Sequence, residues 1–147
     1  MIVDLDVATE VPVPDRRQFE LWAAQVPCEN PKAEVSVRMV DEPEGRALNE
    51  TYRKRIGATN ILSFPCEVPQ GVPCDTLGDL VICAPLVVQE AQDQGKSIEA
   101  HWAHLLIHGL LHLQGFDHVE ELEALRMEAL EIEILARLGY ANPYLDE

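Results

Sequence analysis

Residues 108–118 read HGLLHLQGFDH and contain three histidines with the spacing H-x3-H-x5-H. Positions four apart lie on one face of a helix, so His108 and His112 can point toward one ion. Gly115 can take backbone angles closed to other residues and end that helix, and the turned chain can then bring His118 back as a third ligand. Three imidazoles with one open position are typical of a catalytic zinc site. The stretch therefore predicts a metal centre.

The same histidine spacing occurs in zinc peptidases, where the residue after the first histidine is a glutamate that acts as the base. In this chain that residue is Gly109. The metal-binding pattern is therefore present and the peptidase base is missing. A plainer alternative is that three core histidines fall at this spacing by chance. We favour the metal site, because a buried imidazole cluster without a metal is costly to desolvate.

Length and composition indicate an ordinary globular protein. The chain has 147 residues, of which 47% are hydrophobic and 25% charged, and this size predicts one domain spanning residues 1–147. No apolar run approaches the roughly 20 residues that span a membrane. The N-terminal stretch lacks the basic and apolar regions of a signal peptide, so we expect a cytoplasmic protein. The four cysteines form no C-x-x-C pair and are expected to be reduced.

The formal net charge of −15 bears on the choice of partners. Broad nucleic-acid binding depends on many lysines and arginines that neutralise phosphates, so this composition argues against a general nucleic-acid coat. Any contact with nucleic acid is expected to be local, through a few basic residues beside the active site. The acidic charge also keeps a small protein in solution.

Alternating or continuous apolar residues indicate strands, and apolar residues at a period of 3.6 indicate helices. These patterns predict four strands, at residues 3–7, 33–39, 59–64 and 77–84. They predict helices from Asp15 to near Pro27, at residues 46–54, at 85–94, from Ser97 toward Gly115, and at 119–138. Residues 41–45 are expected to form a turn, and 66–76 a loop. The order of elements predicts an α+β domain with a mixed four-stranded sheet covered by about five helices.

The long helix that begins after Ser97 carries the metal motif. At about 100° per residue, four of its histidines fall within an arc of roughly 80°. The opposite side is apolar and carries Ala103, Leu106, Ile107, Leu110, Leu111 and Leu113. One side is therefore expected to pack in the core and the other to line a cleft. His104 is either a group that supports a ligand or a surface histidine, and we expect His101 to be structural.

The last helix is predicted to end at Gly139. Its apolar residues at core-like spacing are Leu122, Leu125, Ala129, Ile132 and Leu135. Its many glutamates are interpreted as a solvated face, those in the first turns complementing the positive end of the helix.

Four blocks of the sequence resemble the YbeY family of bacterial metal-dependent endoribonucleases. They are HGLLHLQGFDH at residues 108–118, LNETYR at 48–53, TNILSFP at 59–65 and GDLVIC at 78–83. The blocks occur in the family's order and extend over about half of the chain. The resemblance implies an α+β fold in which one zinc ion is held by His108, His112 and His118. It also places Arg53 in the catalytic cleft.

The resemblance further implies a substrate and a setting. It implies a single-strand-specific endoribonuclease that acts in ribosomal RNA maturation, at the 3′ end of 16S rRNA, and in ribosome quality control. The implied partners are single-stranded RNA, rRNA and components of the small ribosomal subunit, with neither DNA nor a membrane involved. One departure lies after Arg53, where the family has a lysine-aspartate pair and a later proline. Here the corresponding residues are Arg55, Ile56 and Ala58.

Several side chains near these blocks have a functional and a structural interpretation. A guanidinium matches the charge that develops on phosphate oxygens, so Arg53 is the candidate catalytic residue; the alternative is a surface arginine on a short helix. Asn60 and Ser63 are candidate substrate-binding residues, although polar residues at strand ends often satisfy backbone groups. Asp117 either orients an imidazole ligand or caps the next helix.

Two other classes of function remain open for the sequence. A metallopeptidase is favoured by the histidine spacing and disfavoured by Gly109. A non-enzymatic module, in which zinc only stabilises the fold and the protein binds ribosomal partners, would need a fourth protein ligand. The nearby candidates for that ligand are Asp117 and His104.

Overall fold

The structure is a computed structural model that describes residues 1–30, 32–53, 59–66, 75–116 and 120–144, and of Arg53 only the backbone. The described residues form four strands: β1 (Ile2–Ala8), β2 (Glu34–Val40), β3 (Ile61–Pro65) and β4 (Thr76–Cys83). They form five α-helices: α1 (Arg16–Ala24), α2 (Glu42–Leu48), α3 (Ala84–Gln94), α4 (Ile98–Leu113) and α5 (Glu121–Arg137). The predicted α+β class is therefore confirmed.

The sheet is mixed, with the strand order β1-β2-β4-β3. Strands β1, β2 and β4 run parallel, and β3 pairs antiparallel with β4. The register aligns Leu5 with Val37 and Val37 with Leu80. Because side chains alternate along a strand, this register collects the apolar residues of three strands on one face of the sheet.

Helices α1 and α4 cover this apolar face, and α4 also packs against α3, α5 and β3. The core between them includes Val3, Phe19, Trp22, Val35, Met39, Ile82, Trp102, Leu106, Ile107 and Leu110. The apolar side of α4 is buried along its length, as the helical projection predicts. Burying this stripe holds α4 against the sheet and leaves its histidine-bearing side turned toward α5.

A smaller apolar cluster of Val40, Leu62 and Val81 lies on the other face of the sheet, beside Leu48 and Phe64. Helix α2 corrects the predicted turn at residues 41–45, because the helix begins at Glu42 with a proline in its first turn. Proline at that position loses no helical hydrogen bond and has a suitable φ angle, so it starts a helix as readily as it makes a turn.

Most predicted helix ends are confirmed. The side chain of Asp15 accepts a hydrogen bond from the backbone of Gln18 and caps α1, and Ser97 caps α4 in the same way. Gly95 and Gly139 follow α3 and α5 with φ angles of 66° and 89°, a left-handed conformation that glycine adopts without strain.

The predicted core face of α5 is wrong except at Leu135, which is buried. Leu122 is 72% exposed and Leu125 57% exposed. The residues that α5 buries are Met127, Glu131, Ile134 and Leu135. A core face predicted from apolar residues alone leaves out glutamates, but the buried face of α5 contains Glu131. The apolar pattern therefore predicted the wrong side of the helix as buried.

Across the described parts of the chain, none of the helices combines the length and the apolar character that crossing a membrane would require.

Candidate metal centre

Four histidines lie along one side of α4, and each ring is next to the ring of the following histidine. The ring centroids of His101 and His104 are 6.5 Å apart, and those of His104 and His108 are 6.3 Å apart. The rings of His108 and His112 are separated by 6.2 Å and inclined by only 34°. The helix therefore presents the two predicted ligands side by side, as their four-residue spacing requires.

The orientation of His112 is set by the chain that follows the helix. Its Nδ1 lies 2.8 Å from the carbonyl oxygen of Phe116. Gly115, with a φ of 99°, turns the backbone there, and the amide of Phe116 donates back to the carbonyl of Leu111. A carbonyl oxygen only accepts, so Nδ1 carries the proton and Nε2 carries the lone pair that a metal ion takes.

The orientation of His108 is set by a different element. Its Nδ1 lies 3.0 Å from Oε1 of Glu131 on α5. When the carboxylate is ionised it only accepts, so Nδ1 again carries the proton and Nε2 the lone pair. A carboxylate behind an imidazole is the usual arrangement for histidines that bind metals.

Glu131 is fully buried, and three hydrogen bonds surround its carboxylate. Oε1 also accepts from Nε2 of His104 at 2.9 Å, and Oε2 accepts from the hydroxyl of Tyr144 at 2.9 Å. Burial by itself would raise the pKa of Glu131, but the hydrogen bonds from His104 and His108 outweigh it and lower that pKa to about 2. Burial and the neighbouring carboxylate raise the pKa of Tyr144, so its hydroxyl remains a donor.

The two predicted ligands on α4 have the tautomer that binds a metal ion. The third predicted ligand, His118, lies outside the described residues. In both His108 and His112 the Nδ1 proton is donated to an oxygen of the protein, so Nε2 is the nitrogen without a proton, the form that binds a metal ion. Among the described residues, no three histidine, cysteine, aspartate or glutamate side chains come together as a metal-binding group. His118 and Asp117 lie outside that part of the chain. The three-histidine site therefore remains a prediction, which the orientation of its first two members supports.

Gly109 packs against the sheet and does not face the histidine side of α4. A Cβ atom built there would lie 2.8 Å from Cδ1 of Ile61 and 2.8 Å from Cδ2 of Leu80. These distances are shorter than carbon atoms tolerate, so even a methyl group requires the neighbouring side chains to move. The larger glutamate of the zinc peptidases does not fit between α4 and the sheet in this packing.

Comparison with known proteins places the chain in a family. The family model described as Endoribonuclease YbeY matches residues 14–139. The protein named Endoribonuclease YbeY from Methylococcus capsulatus is 57% identical over 145 residues, covering 97% of this chain and 96% of that protein. The protein of the same name from Pseudomonas syringae pv. tomato is 51% identical over 147 residues, covering 99% and 89%. This chain belongs to the YbeY family.

A solved structure agrees with that assignment at the level of the fold. The solution structure of TM1509 from Thermotoga maritima superposes with a TM-score of 0.61, covering 98% of this chain and 99% of that one. At 20% sequence identity the likeness shows the fold alone.

The other candidate site residues in the YbeY-like blocks are Arg53, Asn60 and Ser63, and each has a different environment. Arg53 ends a π-helical segment, Asn49–Arg53, which continues α2; its side chain lies outside the described residues. The amide nitrogen of Asn60 donates to the carboxylate of Glu90 at 3.1 Å, and His101 contacts the same carboxylate at 3.2 Å. Ser63 is buried in β3. The candidate roles of Arg53, Asn60 and Ser63 in binding or catalysis remain predictions.

Sequence reasoning missed Glu131 and Tyr144, which this YbeY chain brings to the histidines. Glu131 is one of five glutamates in α5, and nothing in its local sequence marks it as buried. Tyr144 follows the last helix by several residues, and Gly139, with a φ of 89°, lies between the helix and this tyrosine. The amino-acid composition does not show which glutamate is buried, because that depends on how α5 packs against α4.

Proposed function

We propose that this protein is a zinc-dependent endoribonuclease that cuts single-stranded RNA during ribosomal RNA maturation. Its membership of a family described as Endoribonuclease YbeY supports the enzyme class: the chain is an endoribonuclease. The zinc ion, the preference for single strands and the ribosomal setting are the proposed details. Further details are action at the 3′ end of 16S rRNA and in ribosome quality control, a cytoplasmic location, and one hydrolase domain extending over residues 1–147.

One observation carries the metal part of the proposal. His108 and His112 each donate an Nδ1 proton to an oxygen acceptor, so Nε2 is the nitrogen without a proton in both rings, and the two rings lie side by side on α4. Histidines that serve only to pack the core have no reason to share this tautomer and this direction. We propose that His118 completes the set and that one zinc ion per chain is bound.

The chemistry divides between the proposed ion and the chain. A zinc ion held by His108, His112 and His118 would lower the pKa of water enough to supply a nucleophile at neutral pH and would polarise a phosphoryl oxygen. The chain contributes the fixed imidazoles, the buried groups behind them, and Arg53. The guanidinium of Arg53 offers forked donors to the oxygens on which negative charge grows during phosphodiester cleavage.

The charge of the chain bears on how RNA is bound. A net charge of −15 opposes broad binding of phosphates, because each contact requires a cation. We therefore propose that free RNA binds weakly and that ribosomal components bring the substrate to the site. Asn60 and Ser63 are the proposed substrate contacts. The amide nitrogen of Asn60 already serves Glu90, so its carbonyl oxygen is the group that we assign to RNA.

A metallopeptidase is the second candidate because it shares the histidine spacing. The packing of Gly109 against Ile61 and Leu80 disfavours it, since a side chain at position 109 would begin in close contact with both of these residues. A structural zinc site would need a fourth protein ligand. His104 is a poor fourth ligand, because its Nε2 contacts Glu131 and its Nδ1 is buried, with no hydrogen-bond partner among the described residues.

The substrate class is tested with zinc-loaded protein and two kinds of polymer. We expect an unstructured single-stranded RNA to be cut and an unstructured protein such as casein to remain intact, because position 109 lacks the peptidase base. A chelator should stop the cleavage of RNA, and added zinc should restore it. A matched RNA duplex serves as the control for strand preference and should be cut far more slowly.

The opposite pattern, chelator-sensitive proteolysis with intact RNA, would make the protein a peptidase. Cleavage of RNA that a chelator leaves unchanged would remove the metal from the proposal and leave the endoribonuclease class in place.

A further inference from the structure

The geometry points to Glu131 as a positioning residue for the metal site, an inference that rests on the proposed function. We propose that Glu131 holds the imidazole of His108 in the one orientation and tautomer that bind zinc. In this account Tyr144 and His104 hold the carboxylate in place. Glu131 acts through His108 and contacts neither the RNA nor the proposed ion.

The first argument is the position of the carboxylate between the two helices. Oε1 of Glu131 accepts hydrogen bonds from Nδ1 of His108 at 3.0 Å and from Nε2 of His104 at 2.9 Å. A single oxygen thus fixes two imidazoles one turn apart on α4. Because an ionised carboxylate has no proton to give, both nitrogens must be donors. The same bond that positions the His108 ring also selects its tautomer.

The second argument is the cost of keeping this group where it is. Glu131 is fully buried on the face of α5 that otherwise carries Met127, Ile134 and Leu135. A buried carboxylate is expensive unless its oxygens are hydrogen-bonded, and an apolar residue would pack there at lower cost. The carboxylate therefore points to a role besides packing, and its hydrogen bond to His108 supplies one.

The third argument is that the other carboxylate oxygen is also held. Oε2 accepts from the hydroxyl of Tyr144 at 2.9 Å, so the group cannot rotate away from the histidines without losing a bond. The segment that carries Tyr144 is fastened to the start of α4, because Nζ of Lys96 donates to the carbonyl of Pro143 at 2.9 Å. The ring of Tyr144 also packs edge-on against His104, at 5.4 Å between centroids.

Three variants separate positioning from a general effect on the fold. Glu131→Gln keeps the shape of the side chain and removes its charge and one acceptor. The control, Glu133→Gln, makes the same change two residues away on a side chain that is 60% exposed and paired with Arg137. Tyr144→Phe leaves the carboxylate and removes one hydrogen bond that holds it.

The measurements are zinc affinity, by competition with a chelating dye, and the ring ¹⁵N shifts of His108 in metal-free protein. We expect Glu131→Gln to bind zinc about ten- to hundredfold more weakly, the usual effect of losing the partner behind a metal-binding histidine. Its His108 ring should change from the Nδ1-protonated form to a mixture of both tautomers. Tyr144→Phe should weaken zinc binding severalfold, and Glu133→Gln should match the unchanged protein in both measurements.

The outcomes are distinguishable. If Glu131→Gln folds, binds zinc as tightly as Glu133→Gln and keeps the tautomer, Glu131 is only structural and the inference is wrong. If Glu131→Gln unfolds, Tyr144→Phe decides the question, and unchanged zinc affinity in that variant overturns the inference. If the unchanged protein binds no zinc, the proposed metal site fails and this inference fails with it.

Discussion

His112→Ala is expected to lose most of the metal that the unchanged protein retains, about one divalent ion per chain. The imidazole of His112 is one of three proposed ligands, and its removal leaves two, which hold an ion poorly. The cleavage of RNA should fall with the metal content. The fold should persist, because His112 lies on the partly open side of α4 and the buried stripe is untouched. Elemental analysis after gel filtration, beside thermal unfolding, measures both effects.

The matched control for this variant is His101→Gln. His101 lies on the same helix, and its Nε2 contacts Glu90 at 3.2 Å, so its loss removes a histidine without removing a proposed ligand. We expect this variant to keep its metal. Full metal content in His112→Ala would show that the site is somewhere else. Equal loss in both variants would show that the loss reflects damage to α4 and not to a ligand.

Arg53→Ala is expected to cut RNA about a hundredfold more slowly while it keeps its metal and its melting temperature. This magnitude is typical when one charge-stabilising donor is removed from a transition state. Arg53 is not a proposed ligand, and it ends a short π-helical segment. Such segments are frequent at functional sites. The measurement is a single-turnover cleavage rate with zinc-loaded protein.

Arg53→Lys provides the matched comparison. It should recover only part of the lost rate, because an ammonium keeps the charge without the two-pronged geometry of a guanidinium. Cleavage by Arg53→Ala at the unchanged rate would remove Arg53 from the chemistry. Early unfolding of that variant would make Arg53 a structural residue.

The fold could be predicted wherever the local pattern and the packing agree. The alternation at residues 33–39 predicts β2 because one face of the strand is buried in the core and the other is partly exposed. The caps at Asp15 and Ser97 are local hydrogen bonds that the sequence specifies directly. The prediction of a turn at residues 41–45 was wrong, because a proline is equally compatible with a turn and with the first turn of a helix.

The candidate site could be predicted only in part, for a related reason. The spacing of His108 and His112 is a property of one helix, so the sequence suffices to place them on one face. Glu131 belongs to another helix, and its burial depends on the docking of α5, which apolar periodicity assigned to the wrong side. About its axis, α5 is oriented differently from the prediction. This one difference explains both the exposure of Leu122 and Leu125 and the burial of Glu131.

The central claim is that His108, His112 and His118 hold one catalytic metal ion. A crystal structure of the zinc-loaded protein, with anomalous data collected at the zinc edge, tests it most directly. We expect a single zinc peak bound by Nε2 of His108 and His112 and by an imidazole nitrogen of His118, at about 2.0–2.1 Å, with a solvent molecule in the fourth position. A fourth protein ligand such as Asp117 would make the zinc structural, and a peak away from α4 would contradict the account.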